Sequence, residues 1–281
     1  MNYHEILKEG TIYLKKNNIK NPHLDTELLF SKTINRKREE ILLNIYNKVG
    51  NREIEKFQYY LSRRKQKEPV AYIIGYKYFW KSKFLTNTSV LIPRPDTELI
   101  VEEALNYLPI DKSKKILDIG TGSGCIIISL MKERPKYKAT ALDISLKAIK
   151  VAKTNAKLHQ LENKINFINI DIDKYKSYNY DLIISNPPYI NSIDLNRLED
   201  DIKSHEPRLA LSGGSDGFRC INNVIIKSKK LLKINGKLIL EIGHKQTNRT
   251  VKMLKENNFY LNKISKDLSK KDRCIISTKL Q

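Results

Sequence analysis

The most chemically distinctive residues of the chain are four in a row, Asn186-Pro187-Pro188-Tyr189, which follow the apolar run 181–185. Each proline fixes its φ angle and lacks an N–H donor, and a residue that precedes a proline is held extended. The segment therefore presents two acceptors, the Asn186 side-chain oxygen and the Pro187 carbonyl, beside the flat ring of Tyr189. Two neighbouring acceptors suit the two donors of a planar NH2 group. The pattern predicts a site that holds an amide or an exocyclic amine, both poor nucleophiles, in front of an electrophile.

A glycine-rich turn upstream indicates what that electrophile is. The run Gly120-Thr121-Gly122-Ser123-Gly124 lies between a predicted buried strand and a predicted helix, and it differs from the G-x-G-x-x-G of dinucleotide-binding folds. Asp143 ends the next apolar stretch, roughly 20 residues after the glycines, where an acid that binds ribose hydroxyls is expected. Together with the Asn-Pro-Pro-Tyr segment, this order is typical of an S-adenosylmethionine-dependent N-methyltransferase. The alternative is a tight turn between strand and helix that binds no ligand.

The composition is strongly basic, with a formal net charge of +21 over 281 residues. One interpretation is an RNA-associated partner, because a basic surface attracts polyanions. The other is compositional drift, since Lys, Asn and Ile are abundant along the whole chain and lysine is not concentrated in tails. We favour drift and expect no direct nucleic-acid requirement. A hydrophobic content of 40% supports a sizeable core.

The cysteines argue against a metal site or a disulfide framework. Cys125, Cys220 and Cys274 are far apart in sequence and form no C-x-x-C pair. No run approaches the roughly 18 apolar residues of a membrane span, and the N-terminus lacks the apolar region of a signal peptide. We therefore expect a soluble, cytoplasmic monomer that does not interact with membranes.

The chain divides into three predicted parts. Residues 1–75 are predicted to form a small helical bundle, either a structural cap or a module for substrate recognition. Residues 76–95 are rich in aromatic and β-branched side chains, which predicts a β-hairpin linker with strands at Tyr76–Trp80 and Ser89–Ile92. From residue 96 to 281, apolar strands alternate with helical patterns, which indicates an α/β fold with a doubly wound, mostly parallel, Rossmann-like sheet and a closing antiparallel pair.

Ligands of such sheets bind beyond the carboxyl ends of the strands. The glycine turn, Asp143, Asp171 and Asn186 each follow the end of a predicted strand. Because these ends lie along one edge of a parallel sheet, the sequence predicts a single site there.

Longer segments carry a resemblance to a known family. They are Asn21–Leu29, Glu68–Gly75, Val90–Glu98, the glycine turn, Asn186–Tyr189, His205–Leu211, Leu240–Gly243 and Asp272-Arg273. On these motifs the chain is identified as a member of the bacterial release factor glutamine N5-methyltransferase family, also called HemK or PrmC. The Ile-Pro-Arg-Pro-Asp-Thr-Glu run and His-Glu-Pro-Arg are the most specific of them. A related family that methylates a ribosomal protein has Pro-Arg-Ser-Pro in place of Pro-Arg-Pro-Asp.

The resemblance implies the substrate, the cofactor and several residue roles. The substrate is the glutamine of the Gly-Gly-Gln motif in class I peptide chain release factors, and the methyl donor is S-adenosyl-L-methionine. Asp171 is expected to bind the adenine amine beside Ile172, and Arg94 is expected to lie beside the substrate loop. Asn186, Pro187 and Tyr189 are expected to be catalytic, while the cofactor is expected to contact Asn186, Asp143 and the glycine turn from Gly120 to Gly124. Pro188 completes the expected substrate site. Glu206 and Arg208 suggest an ion pair at its rim.

Two competing functions stay open at this point. The first is a DNA adenine N6-methyltransferase, which the shared Asn-Pro-Pro-Tyr motif and the positive charge favour. Such an enzyme requires a DNA target-recognition region and base flipping. The small helical region and the dispersed lysines fit such an enzyme poorly. The second alternative is a binding module that has kept the fold and lost the chemistry. The intact glycine turn, Asp143 and Asn186 argue against it.

Overall fold

The computed structural model describes residues 1–281, which form two compact units. The first unit contains Met1–Tyr76 and, from much later in the chain, Glu199–His205. The second unit contains Lys77–Leu198 and Glu206–Gln281. None of the helices combines the length and the apolar character that a membrane span requires.

The first unit is entirely helical. Its helices are α1 (Tyr3–Lys16), α2 (Pro22–Ile34), α3 (Arg38–Leu43), α4 (Asn51–Lys65), α5 (Val70–Ile74) and, from the later segment, α10 (Asp200–His205). The Asn2 side chain caps α1 in a capping box with Glu5, which satisfies backbone donors that the first turn leaves open. In the core, the ring of Phe30 meets Tyr3 and Phe57 edge to face, at centroid distances of 5.1 and 5.3 Å. Such aromatic pairs provide much of the buried apolar area of a small bundle.

A buried arginine ties α10 to the rest of the helical unit. The Arg64 side chain is 8% exposed, and its Nε donates to Asp25 Oδ2 at 2.7 Å. Its Nη2 lies 2.8 Å from Asp201 Oδ2 on α10, and its Nη1 donates to the Glu68 carbonyl at 3.1 Å. The guanidinium group thus has carboxylate or carbonyl partners on three sides, as a buried cation requires.

The β-hairpin at the start of the second unit differs from the prediction in its second strand. It pairs β1 (Tyr76–Phe79) with β2 (Ser82–Leu85), whereas Ser89–Ile92 forms no strand. The chain reverses at Trp80, whose φ of +53° is unusual for a bulky residue. The Trp80 backbone N–H donates to Glu98 Oε1 at 2.7 Å and its indole donates to Glu133 Oε1 at 3.0 Å. These contacts with Glu98 and Glu133 set the position of the hairpin, and no glycine or asparagine stands at the reversal.

The rest of the second unit is a seven-stranded sheet with helices on both faces. The strands are β3 (Lys115–Ile119), β4 (Lys138–Asp143), β5 (Ile165–Asn169), β6 (Tyr180–Ser185), β7 (Leu232–Glu241), β8 (Phe259–Lys266) and β9 (Asp272–Lys279). The helices are α6 (Glu98–Tyr107), α7 (Cys125–Glu133), α8 (Leu146–Leu158), α9 (Ser192–Asn196), α11 (Arg219–Leu231) and α12 (Thr247–Glu256). The strand order is β5-β4-β3-β6-β7-β9-β8, and β9 alone runs opposite to the other six strands. The predicted α/β Rossmann-like fold with a closing antiparallel pair is therefore confirmed.

Two apolar layers cover the sheet, as the period-two alternation of strand side chains requires. On β3 and β6, Ile116, Leu182 and Ile184 face the layer formed with α6, α7 and α8. Their neighbours Leu117 and Ile183 face the layer formed with α11 and α12. Burial on both faces explains why these strands are continuous apolar runs.

Candidate active site

Three of the predicted site segments begin at the same edge of the sheet. In the parallel register, Ile119 at the end of β3 pairs with Leu142 of β4 and with Ser185 of β6. The glycine turn, Asp143 and Asn186 therefore leave the sheet side by side. Asp171 follows the end of β5, the next strand after β4. The expected convergence at the carboxyl ends of the strands is present in the fold.

The glycine turn has a backbone that other residues rarely adopt. Gly120, Gly122 and Gly124 have φ angles of +76°, +57° and +80°. A Cβ atom at Gly124 would lie 2.9 Å from Ile128 Cδ1 and 3.3 Å from Ala152 Cβ, so this glycine packs closely against α7 and α8, and its positive φ disfavours other residues. A Cβ atom at Gly120 or Gly122 would meet nothing within 4 Å. These two glycines border open space, where a ligand can approach the backbone closely.

Asp118, near the end of β3 and two residues before the first glycine, is a fully buried acid with an open acceptor. Thr121 donates to its Oδ2 at 2.7 Å, while its Oδ1 is buried without a hydrogen-bond partner. Burial raises the pKa of Asp118 to about 7, and the nearby Asp143 adds to the increase. An unpartnered buried carboxyl oxygen is costly, because it has lost water and gained nothing in return. The group is therefore suited to a ligand that brings a donor or a positive charge.

Asp143 joins the glycine turn to β4. Its Oδ2 accepts the Gly122 N–H at 2.9 Å, and its Oδ1 accepts the Ser145 N–H at 2.9 Å. Burial raises the pKa of the Asp143 carboxyl group. Each oxygen of an ionised carboxyl group can accept more than one hydrogen bond. Asp143 can therefore hold the turn and still accept the two hydroxyls of a ribose.

Asp171 and Ile172 lie on the short turn that follows β5. The Asp171 side chain accepts the Asp173 N–H at 2.9 Å and so caps the 3-10 turn Ile172–Lys174. Ile172 is half-buried and packs against the apolar layer next to α11 and α12. The residue that precedes Asp171, Ile170, donates its N–H to the Asp143 carbonyl at 3.1 Å, so the turn begins next to Asp143.

In the Asn-Pro-Pro-Tyr segment, one end of the Asn186 amide is engaged and the other is free. Asn186 Nδ2 donates to Thr97 Oγ1 at 3.1 Å, whereas no protein group donates to its Oδ1. Pro187 is buried, Pro188 is half-buried, and the Tyr189 hydroxyl donates to Glu241 Oε1 at 3.1 Å. Burial, followed by the charge of Glu241, raises the pKa of Tyr189, so the phenol stays neutral. The segment keeps the acceptor that a substrate amide needs.

Gly213, Gly217 and Gln246 pack closely against the backbone of Tyr189. A Cβ atom at Gly217 would lie 2.6 Å from the Tyr189 carbonyl oxygen, and a Cβ atom at Gly213 would lie 2.8 Å from the Cα atom of Tyr189. Gln246 Nε2 donates to the Tyr189 carbonyl at 3.0 Å. Only glycine fits at these two positions, which fixes the path of the chain after the two prolines.

Two acid–arginine contacts hold the segment 92–96, which precedes α6. Glu206 accepts from Arg94 Nη2 at 2.5 Å and from the Ile92 N–H at 3.2 Å. The suggested pair between Glu206 and Arg208 is therefore wrong, since the buried Glu206 carboxylate is occupied by Arg94. On the other side, Arg273 lies 3.4 Å from Asp96. The Arg94 side chain is still about one-third exposed, at 34%.

Several residues of the site escaped the sequence analysis. Asn155 of α8 is fully buried and donates to the Ser123 carbonyl at 2.8 Å and to the Leu85 carbonyl at 3.0 Å, so it joins the glycine turn to β2. Glu241 and Gln246 were not assigned a role either. A usable signal existed for Glu241, because it is an acid that ends an apolar strand, in the same way as Asp143.

Comparison with known proteins agrees with this geometry. Residues 5–75 match the PrmC N-terminal domain, and residues 97–214 match the methyltransferase small domain. The chain is 35% identical over 267 residues to the release factor glutamine methyltransferase of Caulobacter vibrioides, covering 95% of this chain and 92% of that protein. This chain belongs to the release factor glutamine methyltransferase family. The resemblance inferred from the motifs is thereby confirmed.

Two other similar proteins differ from this chain, one in its length and the other in its sequence. The chain is 35% identical over 298 residues to the bifunctional methyltransferase of Rickettsia bellii, covering 96% of this chain and 54% of that protein, so it spans about half of that relative. Among solved structures, a methyltransferase from Pyrococcus furiosus superimposes with a TM-score of 0.53 at 17% identity, over 70% of this chain and 89% of that one. That similarity shows that the two chains share a fold over this part of their length.

Proposed function

We propose that this protein transfers a methyl group from S-adenosyl-L-methionine to the side-chain amide nitrogen, N5, of the glutamine in the Gly-Gly-Gln motif of class I peptide chain release factors, and so supports translation termination. The observation that carries the proposal is the state of Asn186. Its NH2 group is bound by Thr97, and its oxygen is free, at the sheet edge next to the glycine turn. A free acceptor in that position suits an incoming amide N–H. The family assignment supports the same substrate.

The residues at the strand ends fit the methyl donor. Gly120 and Gly122 border open space, and the buried Asp118 has an acceptor without a partner, which suits the cationic amino group of the donor's methionine portion. We assign Asp143 to the ribose hydroxyls and Asp171 with Ile172 to the adenine. When bound, S-adenosylmethionine supplies a methyl group made electrophilic by the sulfonium. Thr121, Ser123 and Gly124 complete the turn that would hold it, and Asn186 borders it.

The Asn-Pro-Pro-Tyr residues overcome the weak nucleophilicity of an amide by positioning it. A glutamine nitrogen is planar and its lone pair is delocalised, so it must be held in line with the methyl group. Asn186 Oδ1 and the Pro187 carbonyl accept its two hydrogens, and the Tyr189 ring packs against the side chain. Alignment of this kind supplies several kcal/mol of the barrier reduction. A strong base is not needed before attack, because the nitrogen proton becomes acidic only as the C–N bond forms and the S–CH3 bond breaks. The proton would then pass to solvent, and the donor would leave as a neutral thioether.

The other parts of the chain are proposed to serve recognition. The helical domain, residues 1–75, is assigned to binding of the release factor, and its residues 5–75 match the PrmC N-terminal domain. Residues 76–95 link it to the methyltransferase domain at 96–281. Within the linker, Arg94 is held by Glu206 but keeps part of its guanidinium accessible, which suits a role beside the substrate loop.

The proposal is tested by transfer of a labelled methyl group from S-adenosylmethionine to a purified class I release factor. Parallel reactions use the factor with its motif glutamine changed to alanine, the Asn186→Ala enzyme, and duplex DNA. We expect label on the unmodified factor and the wild-type enzyme only. Label on DNA and none on the factor would favour an adenine methyltransferase. Cofactor binding without transfer to the factor would refute this substrate.

A further inference from the structure

The β-hairpin has only two strands, so one edge of β2 has no strand partner, and side chains of α8 bind that edge. Asn155 Oδ1 accepts the Leu85 N–H at 2.7 Å, and Asn155 Nδ2 donates to the Leu85 carbonyl at 3.0 Å. One helical turn later, His159 Nε2 lies 2.9 Å from the Lys83 carbonyl, to which it donates. The helix thus supplies partners for backbone groups that a third strand would otherwise pair.

The dimensions of the two elements explain why a helix can replace a strand here. Side chains four residues apart on a helix are separated by about 6 Å along its axis, at about 1.5 Å per residue. Backbone groups two residues apart on a strand are separated by about 6.4–6.8 Å. Asn155 and His159 are four positions apart, and Lys83 and Leu85 are two positions apart. The two sets of hydrogen-bonding groups therefore match.

Asn155 differs from His159 in a further contact, which reaches the glycine turn. Its Nδ2 also donates to the Ser123 carbonyl at 2.8 Å, and the residue has no exposed surface. The Leu85 N–H can only donate and the Leu85 carbonyl can only accept, so these two contacts fix the orientation of the Asn155 amide. The other hydrogen of Nδ2 is thereby directed to Ser123. His159 makes its hydrogen bond to the hairpin alone.

The contact with Ser123 fixes one peptide group of the turn. The carbonyl of the peptide between Ser123 and Gly124 is held by Asn155, and the N–H of the same peptide donates to the Thr121 carbonyl at 2.8 Å. This peptide lies between two glycines with positive φ, Gly122 and Gly124. Glycine backbone has many accessible conformations, so a hydrogen bond from outside the turn selects one of them.

The turn therefore has a support from each of two elements. Asp143, at the end of β4, accepts the Gly122 N–H at 2.9 Å, and Asn155, on α8, holds the Ser123 carbonyl. Asp143 is assigned to the ribose hydroxyls and would contact the cofactor itself. Asn155 is fully buried, so it can influence the cofactor only through the turn.

We propose that Asn155 is a positioning residue for cofactor binding. It fixes the second half of the glycine turn and, because the same side chain pairs with Leu85, it couples cofactor affinity to the hairpin. The identity of the cofactor rests on the proposed function, whereas the hydrogen bonds of Asn155 do not. Asn155 is assigned no contact with cofactor or substrate.

Calorimetric titration with S-adenosylhomocysteine tests the role without any methyl transfer. Two variants remove the contact: Asn155→Leu keeps the approximate shape, and Asn155→Ala leaves room for a water that can bond the freed backbone groups and so limits the loss of stability. We expect the affinity to fall about tenfold or more in both, as for loss of a buried hydrogen bond that supports the bound state. The KM for S-adenosylmethionine should rise more than kcat falls. Wild-type affinity in Asn155→Ala would overturn the proposal.

His159→Ala is the matched control. It removes the neighbouring bond to β2 and the ring contact with Phe84, at a centroid distance of 5.0 Å, but no bond to the turn. We expect a lower midpoint of thermal unfolding with cofactor affinity within about twofold of the wild type. An affinity loss in His159→Ala as large as that in Asn155→Ala would mean that hairpin stability alone governs binding, and it would overturn the role of the Ser123 contact.

Hydrogen exchange, followed by nuclear magnetic resonance, tests the coupling at the hairpin. Because coupling between two sites is reciprocal, S-adenosylhomocysteine should slow exchange of the Leu85 amide more than it slows the amides of β8, at the far edge of the sheet. In Asn155→Ala at saturating ligand, the extra slowing at Leu85 should be lost. The same extra slowing in Asn155→Ala and the wild type would overturn the coupling.

These results are separable from the fate of the proposed function. If affinity and exchange follow the expected order but the wild type methylates no release factor, the proposed substrate fails and the positioning role of Asn155 stands. If the wild type methylates the factor and Asn155→Ala binds the cofactor normally, the positioning role fails and the proposed function stands. A wild type that binds no S-adenosylhomocysteine would refute both.

Discussion

Buried charges are treated differently in the helical unit and at the strand-end edge of the methyltransferase domain. In the helical unit, Arg64 is enclosed by Asp25 and Asp201, and none of their buried side-chain atoms lacks a partner. At the strand-end edge, Asp118 and Glu241 are as deeply buried, yet each keeps an oxygen with no hydrogen bond. Removing a charged group from water is costly in both regions. Only in the helical unit do ion pairs within the protein offset that cost.

This difference separates structural burial from burial that serves a ligand. The Arg64 cluster is complete without any other molecule, so its charges serve to hold α10 within the helical unit. The strand-end acids lie at the edge where ligands of α/β sheets bind, and under the proposed function the methyl donor supplies the partner that the Asp118 oxygen lacks. Four substitutions test this difference, in order of decreasing expected effect.

Breaking the complete cluster should have the largest effect. Arg64→Met keeps most of the length of the side chain but leaves Asp25 and Asp201 without a countercharge. We expect a loss of about 3–5 kcal/mol in the free energy of unfolding, the range for removing one partner of a buried pair. Urea denaturation at neutral pH measures it. Adding Asp25→Asn to Arg64→Met should recover part of the loss, because one uncompensated charge is then removed. A loss under about 1 kcal/mol for Arg64→Met, the range of an exposed pair, would contradict the structural role.

Removing the open acceptor should affect catalysis rather than folding. We expect Asn186→Ala to reduce methyl transfer about 10²- to 10³-fold, the range for loss of one preorganised hydrogen-bonding group. The free energy of unfolding should change little, because Asn186 is only half-buried and its oxygen has no protein partner. Steady-state kinetics and urea denaturation on the same preparation measure both. A large loss of stability with unchanged kcat would mean that Asn186 belongs with Arg64 in the structural class.

Asp118 should make stability depend on pH. Its pKa is about 7 in the folded protein, against an ordinary value of 3.8, so folding favours the protonated form. The stability it contributes is fully present below pH 3.8 and is lost as pH rises through about 7. Between about pH 5 and pH 8 we expect Asp118 to lower the free energy of unfolding by roughly 2–3 kcal/mol. Denaturation at both pH values measures it for the wild type and for Asp118→Asn, in which this decrease should be absent. The same decrease in both proteins would assign the dependence to other groups.

The sequence was sufficient where function depends on local pattern. The glycine turn, Asp143 and Asn186 each follow an apolar run directly, so the strand ends and their common edge could be inferred from periodicity and fold class. The contact of Asn186 with Thr97 spans 89 positions, and that of Tyr189 with Glu241 spans 52. Such contacts depend on how strands pair, and no local pattern reports them.

The hairpin shows a second limit of local patterns. Ser89–Ile92 has the β-branched and apolar residues of a strand, yet β2 lies earlier, at Ser82–Leu85. Trp80 adopts a positive φ without being glycine or asparagine, because Glu98 and Glu133 accept its two N–H groups. A turn that is stabilised by acids far away in the sequence cannot be predicted from the residues of the turn itself.

The smallest effect is expected for an ion pair that lacks burial. Lys20 Nζ lies 2.5 Å from Glu199 Oε1 in the helical unit, but the two side chains are 72% and 58% exposed. Like Arg64, this pair joins the segment Glu199–His205 to the other helices of the unit. Lys20→Ala therefore tests whether the number of ion pairs or their burial stabilises the segment. Water screens an exposed pair, and we expect a loss of less than about 1 kcal/mol that shrinks further at high salt. A loss as large as that of Arg64→Met in urea denaturation would contradict the view that burial makes the Arg64 cluster structural.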